Sequence, residues 1–171
     1  ISGAGEVGSH LAKMLRNEAN DICVIDSNQQ RLTALSETAD VVTVCGNPAS
    51  IEVLKNAGAE KADLFVAVNP STSQNVNVVC SALAKSLGSK KVVCRVNNEE
   101  YLAYDNKYLF SDMGIDLLFY PEKIAAGEIV DLLKRSASTE AMEFGRGKLQ
   151  ISVYKLEEDS PIIDKTLLDF S

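Results

Sequence analysis

The sequence predicts an α/β fold, a parallel sheet covered by helices on both faces. Three observations carry the prediction. The chain opens on Gly3-Ala-Gly5-Glu-Val-Gly8, a G-x-G-x-x-G pattern leading straight into a stretch with helical apolar spacing. A short apolar run, Ile22-Cys-Val-Ile25, follows and is closed by Asp26, 18 residues past Gly8. From there, apolar runs of strand length alternate with helical stretches, the pattern of a doubly wound, Rossmann-type sheet.

Taken in order, the first helix is expected over residues 6–18, with Val7, Leu11, Met14 and Leu15 on one face. After the Ile22–Ile25 strand, a second helix over 28–38 uses Leu32 and Leu35. Val41-Val-Thr-Val44 reads as a strand ending at Cys45-Gly46, and a short helix over 49–57 stops at Gly58, where a C-terminal glycine belongs. Leu64-Phe-Val-Ala-Val68 is a continuous apolar run, as expected of a parallel strand covered on both faces. A helix over 73–87 closes at Gly88, a strand covers 91–95, and a helix over 99–113 closes at Gly114. A strand over 115–119 and a helix over 122–135, with Pro121 at its first turn, complete the pattern. Counting a first strand before Gly3, this makes a six-stranded sheet in a domain spanning 1–136. Only Ile1 and Ser2 precede the glycine turn, whereas a strand usually runs to about five residues, so the rest of that strand and an initiator Met are expected upstream.

The pattern changes after Ser136. A small polar linker (137–139), two strand-like stretches (140–144 and 148–156) around a Gly145-Arg-Gly147 turn, a loop (157–161) and a possible helix (165–170) are expected to open a second, truncated α+β domain over 137–171.

Composition narrows the function. No apolar run approaches the roughly 20 residues of a membrane span, and a net charge of −7 without a basic stripe argues against nucleic acid as a partner. Cys23, Cys45, Cys80 and Cys94 lie scattered in apolar runs, as small hydrophobes of a reducing compartment rather than as metal ligands or disulfide partners. His10, the single histidine, sits in the first helix without an acid/base partner in view, so no catalytic residue is assigned.

The chemistry points to a dinucleotide. Gly3 permits the tight turn, Gly5 lets backbone amides approach a pyrophosphate, and Gly8 lets the helix pack close to the strand. The helix N-terminus adds unpaired N–H groups and partial positive charge. Asp26 is placed to accept hydrogen bonds from the adenosine ribose, and its charge disfavours a 2′-phosphate; no Arg stands at Ser27 or Asn28. The alternatives are an ATP/ADP- or AMP-type ligand and an NAD-dependent dehydrogenase lacking its catalytic domain. The latter needs a proton-transfer group that these residues do not assemble. A redox-sensing transcription factor would need a DNA-binding module that is not recognisable here. No P-loop lysine supports ATP hydrolysis.

Beyond the glycine motif, Val24-Ile-Asp26, Gly46-Asn-Pro-Ala49, Val53-Leu-Lys-Asn-Ala-Gly58, Ala62-Asp-Leu-Phe-Val-Ala67, Cys94-Arg-Val96, Asn98-Glu-Glu-Tyr101, Gly114-Ile-Asp116 and Tyr120-Pro-Glu122 follow in order. With these the chain resembles the RCK/KTN (TrkA-N) family, and most of all its peripheral subunits of Trk potassium-uptake systems. The tail's Asp159-Ser-Pro161 and Lys165-Thr-Leu167 are similar to the start of the family's C-terminal ligand domain.

The resemblance implies a regulatory NAD(H)-binding subunit, or in other branches an ATP/ADP sensor, that performs no chemistry on its ligand. It also implies a homo-oligomer, dimeric or ring-forming, acting on an integral membrane potassium transporter from the cytoplasmic face. By the same resemblance, Gly3, Ala4, Gly5, Glu6 and Val7 line the pyrophosphate and Asp26 meets the ribose, with Gly8 and Ser27 also counted among the cofactor-binding residues. Gly46 and Asn47 flank the adenine, Val68 and Asn69 approach the distal half, and Asn75 and Arg95 are further candidates. Glu6 stands where ATP-binding relatives tend to carry Arg, which favours NAD. Ser71-Thr-Ser-Gln74 departs from the family's Asp-Glu ahead of the residue matched to Asn75. Glu122 is either a contact across the dimer or a helix-start carboxylate. The wide apolar arc of the last helix (Ile124, Ile129, Val130, Leu132, Leu133) fits a dimer contact, a linker, or a helix sandwiched between domains.

Overall fold

A computed structural model describes residues 1–18, 20–134, 140–144 and 149–153, together with Leu156, Ser160 and Thr166. The chain divides into two compact units, Ile1–Glu122 and Lys123–Ser171.

In the first unit, α1 (Glu6–Asn17), β1 (Cys23–Asp26), α2 (Gln29–Ser36), β2 (Val42–Cys45), α3 (Ile51–Asn56), β3 (Leu64–Ala67), α4 (Gln74–Leu87), β4 (Lys91–Arg95), α5 (Lys107–Asp112) and β5 (Leu117–Phe119) alternate as expected. Local chemistry sets the starts. Asn28 Oδ1 accepts the N–H groups of Gln30 and Arg31 ahead of α2, and Ser50 Oγ accepts that of Val53 in α3. Gly58 and Gly114 take left-handed backbone (φ 75° and 80°) where the chain leaves a helix for the next strand.

Every ladder of the unit is parallel. β1 pairs with β2, and β3–β4–β5 form a three-stranded set. Ser2 bridges in parallel to both Ile25 and Ala67, stitching the two sets. The spatial order is therefore β2, β1, Ser2, β3, β4, β5, and the winding reverses at Ser2. Six strands are expected from the sequence, and five form. The two residues ahead of the Gly3 turn supply bridges only, through Ser2 N–H to the Val66 carbonyl (2.8 Å) and Val68 N–H to the Ser2 carbonyl (2.8 Å).

The two faces are covered separately. Val24 packs with Ala4 of the glycine turn, Ala12 of α1, and Leu32 and Leu35 of α2, whereas its neighbour Ile25 packs with Leu54, Phe65, Cys80 and Ala84 on the side of α3 and α4. Successive strand side chains point to opposite faces, so this split is the doubly wound arrangement itself.

One helix departs from expectation. Residues 99–113 form two 3₁₀ turns, Glu99–Leu102 and Tyr104–Asn106, before α5. Asn98 Oδ1 takes the Glu100 N–H (3.0 Å) and Asn106 Nδ2 donates to the Glu100 carbonyl (2.9 Å). Short polar side chains thus compete for backbone groups a continuous helix would use. Ala103, between the turns, is extended (φ −59°, ψ 141°).

α6 (Pro121–Lys134) starts at the end of the first unit and runs into the second, where β6 (Glu140–Phe144) and β7 (Leu149–Val153) pair antiparallel. Both strand-like stretches of the tail are strands. The expected linker at 137–139 and glycine turn at 145–147 lie outside the described residues, as do most of the 157–161 loop and the 165–170 helix.

Candidate functional site

In a parallel sheet all C-terminal strand ends share one edge, and a crevice opens where the winding reverses. Here that point is Ser2, and the glycine turn follows it directly. Gly3 adopts φ 106°, and a Cβ there would stand 2.8 Å from Asn69 N. A Cβ on Gly8 would collide with the Gly3 carbonyl oxygen and come within 3.2 Å of Val68 Cγ2. These two glycines answer to the protein's own packing. Gly5 differs, because a Cβ there would meet nothing within 4 Å. It is the N-cap of α1 and offers no side chain to the orphan N–H groups of the first turn. An open seat above uncapped amides is what an anionic group on a helix N-terminus requires. Glu6 and Val7 are exposed on the same turn, and Ala4 is buried.

Asp26 ends β1 and is 4 % exposed. Its Oδ2 accepts the Ala4 N–H of the glycine turn (2.7 Å) and its Oδ1 the Asn28 N–H (2.8 Å). Arg31 Nη1 stands 3.9 Å from Oδ2. Turn and carboxylate are thus held against each other, the juxtaposition the fingerprint demands. Ser27 and Asn47 are exposed beside it. Gly46 extends the ladder by donating to the Asp26 carbonyl (3.0 Å), and a Cβ there would stand 2.6 Å from Val53 Cγ2. Asn47 Oδ1 is engaged by the Ala49 N–H (3.0 Å).

Across the crevice, Val68 and Asn69 follow β3, both buried. Asn69 Nδ2 donates to Ser2 Oγ (2.8 Å) and to Asn77 Oδ1 (2.9 Å), and its N–H also reaches Asn77 Oδ1 (2.9 Å). Asn77 Nδ2 donates in turn to the carbonyls of Asn69 and Arg95 (3.2 Å each). The Asn69 amide therefore faces inward and braces the strand ends. Arg95, at the end of β4, pairs with Glu122 at the first turn of α6 and keeps only 12 % of its side chain exposed, with Nε lacking a hydrogen-bond partner among the described residues. Asn75 is exposed on the first turn of α4.

Thirteen of the fourteen expected residues lie in the glycine turn, at the start of α1 or at C-terminal strand ends, and Asn75 is exposed on the first turn of α4. Three residues with a part in the edge went unread: Ser2, Asn77 and Arg31. Asn77 had a signal, since it shares the buried stripe of α4 with Cys80, Ser81 and Ala84. The cysteines match their reading as buried hydrophobes in two cases. Burial pushes the Cys80 thiol up to about 12 and that of Cys94 up to about 11, while Cys45 is exposed. A separate cavity of about 870 Å³ lies at the opposite end of the sheet, against Ile1, Ile22 and Leu64, and includes none of these site residues.

A family model described as the TrkA-N domain matches residues 1–121. The chain is 35 % identical over 170 residues to a Trk system potassium uptake protein TrkA homolog of Archaeoglobus fulgidus, covering 99 % of this chain and 38 % of the relative. It is 33 % identical over 172 residues to Trk system potassium uptake protein TrkA of Haemophilus influenzae, covering 99 % and 37 %. The chain therefore spans less than two-fifths of the length of these relatives. Among solved structures it is similar to the TrkA-N domain of the inner membrane protein ybaL from Escherichia coli (TM-score 0.64, 23 % identity, 77 % of this chain and 93 % of that one). It is also similar to the GsuK channel bound to NAD (TM-score 0.56, 18 % identity, 68 % and 20 %). A third likeness is to GsuK bound to ADP (TM-score 0.57, 18 % identity, 70 % and 30 %). At these identities the structural likeness concerns the fold.

Proposed function

The chain belongs to the TrkA-N domain family, and from that premise we propose that it is the NAD(H)-binding part of a regulatory, non-catalytic subunit of a potassium-uptake system. The observation that carries this is the open seat at Gly5 on the uncapped start of α1, facing Asp26. Gly3, Ala4, Gly5, Glu6 and Val7 would hold the pyrophosphate on a helix start that Gly8 lets pack close, with Asp26 and Ser27 at the adenosine ribose and Gly46 and Asn47 beside the adenine. Val68, Asn69 and Arg95 form the opposite wall for the distal half, with Asn75 an outer contact. NAD supplies a two-ended ligand spanning the switch point. The residues around it bind and orient, and none is arranged as an acid/base pair.

The subunit would sit on the cytoplasmic face of the membrane as a homo-oligomer beside an integral potassium transporter. No helix among the described residues is long and apolar enough to cross a membrane. Residues 1–136 would act as the nucleotide-binding domain and 137–171 as the opening of a regulatory domain. A second reading, an adenine-nucleotide sensor, has specific support because one similar fold was solved with ADP. Against it, Glu6 places a carboxylate in the phosphate turn, less tolerable to a triphosphate than to a pyrophosphate.

Calorimetric titration with NADH, NAD⁺, ATP and ADP, run beside a nicotinamide turnover assay, tests both. Tight NAD(H) binding without turnover is expected. Preference for ATP or ADP would favour the second reading, and turnover would overturn the non-catalytic one.

A further inference from the structure

Asp26 is held from two sides by backbone, through the Ala4 and Asn28 N–H groups, so its carboxylate is fixed before any ligand arrives. The cation nearest to it, Arg31, lies on the first turn of α2, whose start is pinned by Asn28 Oδ1 accepting the Gln30 and Arg31 N–H groups (2.9 and 3.2 Å). The Arg31 side chain is 48 % exposed and the Asp26 side chain 6 %. The guanidinium therefore stands on the solvent side of the carboxylate. At 3.9 Å the pair exceeds hydrogen-bond length, so the guanidinium's fork of donors is not locked onto Asp26.

A ribose hydroxyl that donates to Oδ2 brings its own substituents within reach of that fork. An unmodified 2′-hydroxyl is accepted by the carboxylate. A 2′-phosphate is repelled by it, yet meets in Arg31 the planar, permanently charged donor set that suits phosphate oxygens. Resting on the nucleotide reading above, we propose that Arg31 is a specificity-determining residue: Asp26 selects the unmodified ribose and masks a 2′-phosphate seat whose cation is Arg31. Discrimination then hangs on a single carboxylate.

The adenosine half alone tests this, whichever nucleotide is physiological. Calorimetry of the purified protein compares 5′-AMP with adenosine 2′,5′-bisphosphate, with thermal melts run alongside. The unaltered protein should favour AMP by roughly 10- to 100-fold, the span of one charged hydrogen bond. Asp26→Asn keeps an acceptor for one backbone N–H and removes the charge. It should erase or reverse that preference. Adding Arg31→Ala should then weaken the bisphosphate by about tenfold or more. Arg31→Glu in the otherwise unaltered protein leaves the Asp26 brace intact and should deepen the rejection of the bisphosphate, which covers the case of an Asp26→Asn variant that fails to fold.

A folded Asp26→Asn variant that still rejects the bisphosphate, or a double variant that binds it equally well, overturns the role of Arg31 while AMP binding leaves the site standing. Absence of AMP binding by the unaltered protein overturns the site and this inference together.

Discussion

Asn77 lies on α4 with its amide buried at 1 % exposure between the ends of β3 and β4. All four of its hydrogen bonds go to groups at the C-terminal strand ends: the Asn69 N–H, side chain and carbonyl, and the Arg95 carbonyl. The same Asn69 N–H borders Gly3, where a Cβ could not fit. Removing the amide leaves several buried groups unpaired, each costing about 1–3 kcal/mol. Asn77→Ala should therefore lower unfolding stability in urea by roughly 3 kcal/mol. A loss below about 1 kcal/mol would mean these groups find other partners. At this scale the sequence is only partly readable. Gly3, Gly8 and Asp26 announce themselves because their roles follow from a local motif. Asn77 and Ser2 act through Asn69, 8 and 67 positions away from them, which spacing alone does not single out. Arg31 was hidden for a geometric reason: it is five residues past Asp26, and only the turn into α2 brings it back beside the carboxylate.

Between elements, Asp116 ties α4 to the sheet. It precedes β5, accepts the Val92 N–H of β4 (2.7 Å) and pairs with Lys85 Nζ of α4 (3.0 Å). The Lys85 hydrogen bond, and after it the Val92 N–H, hold its carboxyl below the usual carboxylate range. A carboxyl whose pKa is lowered by folding stabilises the fold above its unfolded value, near 3.8, and loses that contribution as pH falls through the lower folded value. Asp116→Asn should lower Tm at neutral pH. The gap should narrow on acidification below about 3.8. Because the carboxylate is 44 % exposed, solvent screening keeps the effect small. Thermal melts at pH 7 and pH 3 check it, and a gap no narrower at pH 3 than at pH 7 would place the loss elsewhere.

Elements of this kind were legible where the chain punctuates itself. Gly58, Gly88 and Gly114 end helices, and the following apolar runs are strands. The 99–113 segment breaks into separate turns although Tyr101, Leu102, Leu109 and Phe110 have apolar spacing compatible with one helix. The break comes from Asn98 and Asn106 bonding to nearby backbone, and Tyr101 still reaches Phe110 with ring centroids 4.8 Å apart.

At the scale of the whole molecule, the two halves of the first unit's sheet are joined edge to edge through the bridges of Ser2 and packed together where Ile25 meets Phe65. The glycine turn, Asp26 and Gly46 belong with the β1–β2 half, and Val68, Asn69 and Arg95 with the β3–β4–β5 half. A two-ended ligand lying over Ser2 would touch both, whereas a ligand filling only the adenosine end would touch one. The Arg95–Glu122 pair carries the second half onward to the start of α6. On that helix Ile124, Ile129, Val130, Leu132 and Leu133 are 46–72 % exposed, more apolar surface than a solvent-facing helix ordinarily presents. If α6 mediates assembly, ligands that load the two halves differently should favour different assemblies, since a ligand shifts an equilibrium only by its differential affinity for the two states. Small-angle scattering of the protein saturated in turn with NADH, NAD⁺, ATP and ADP should give at least two distinguishable profiles. Bound nucleotide in every sample with one common profile would separate binding from assembly, and would leave the exposed face of α6 without a part in the response.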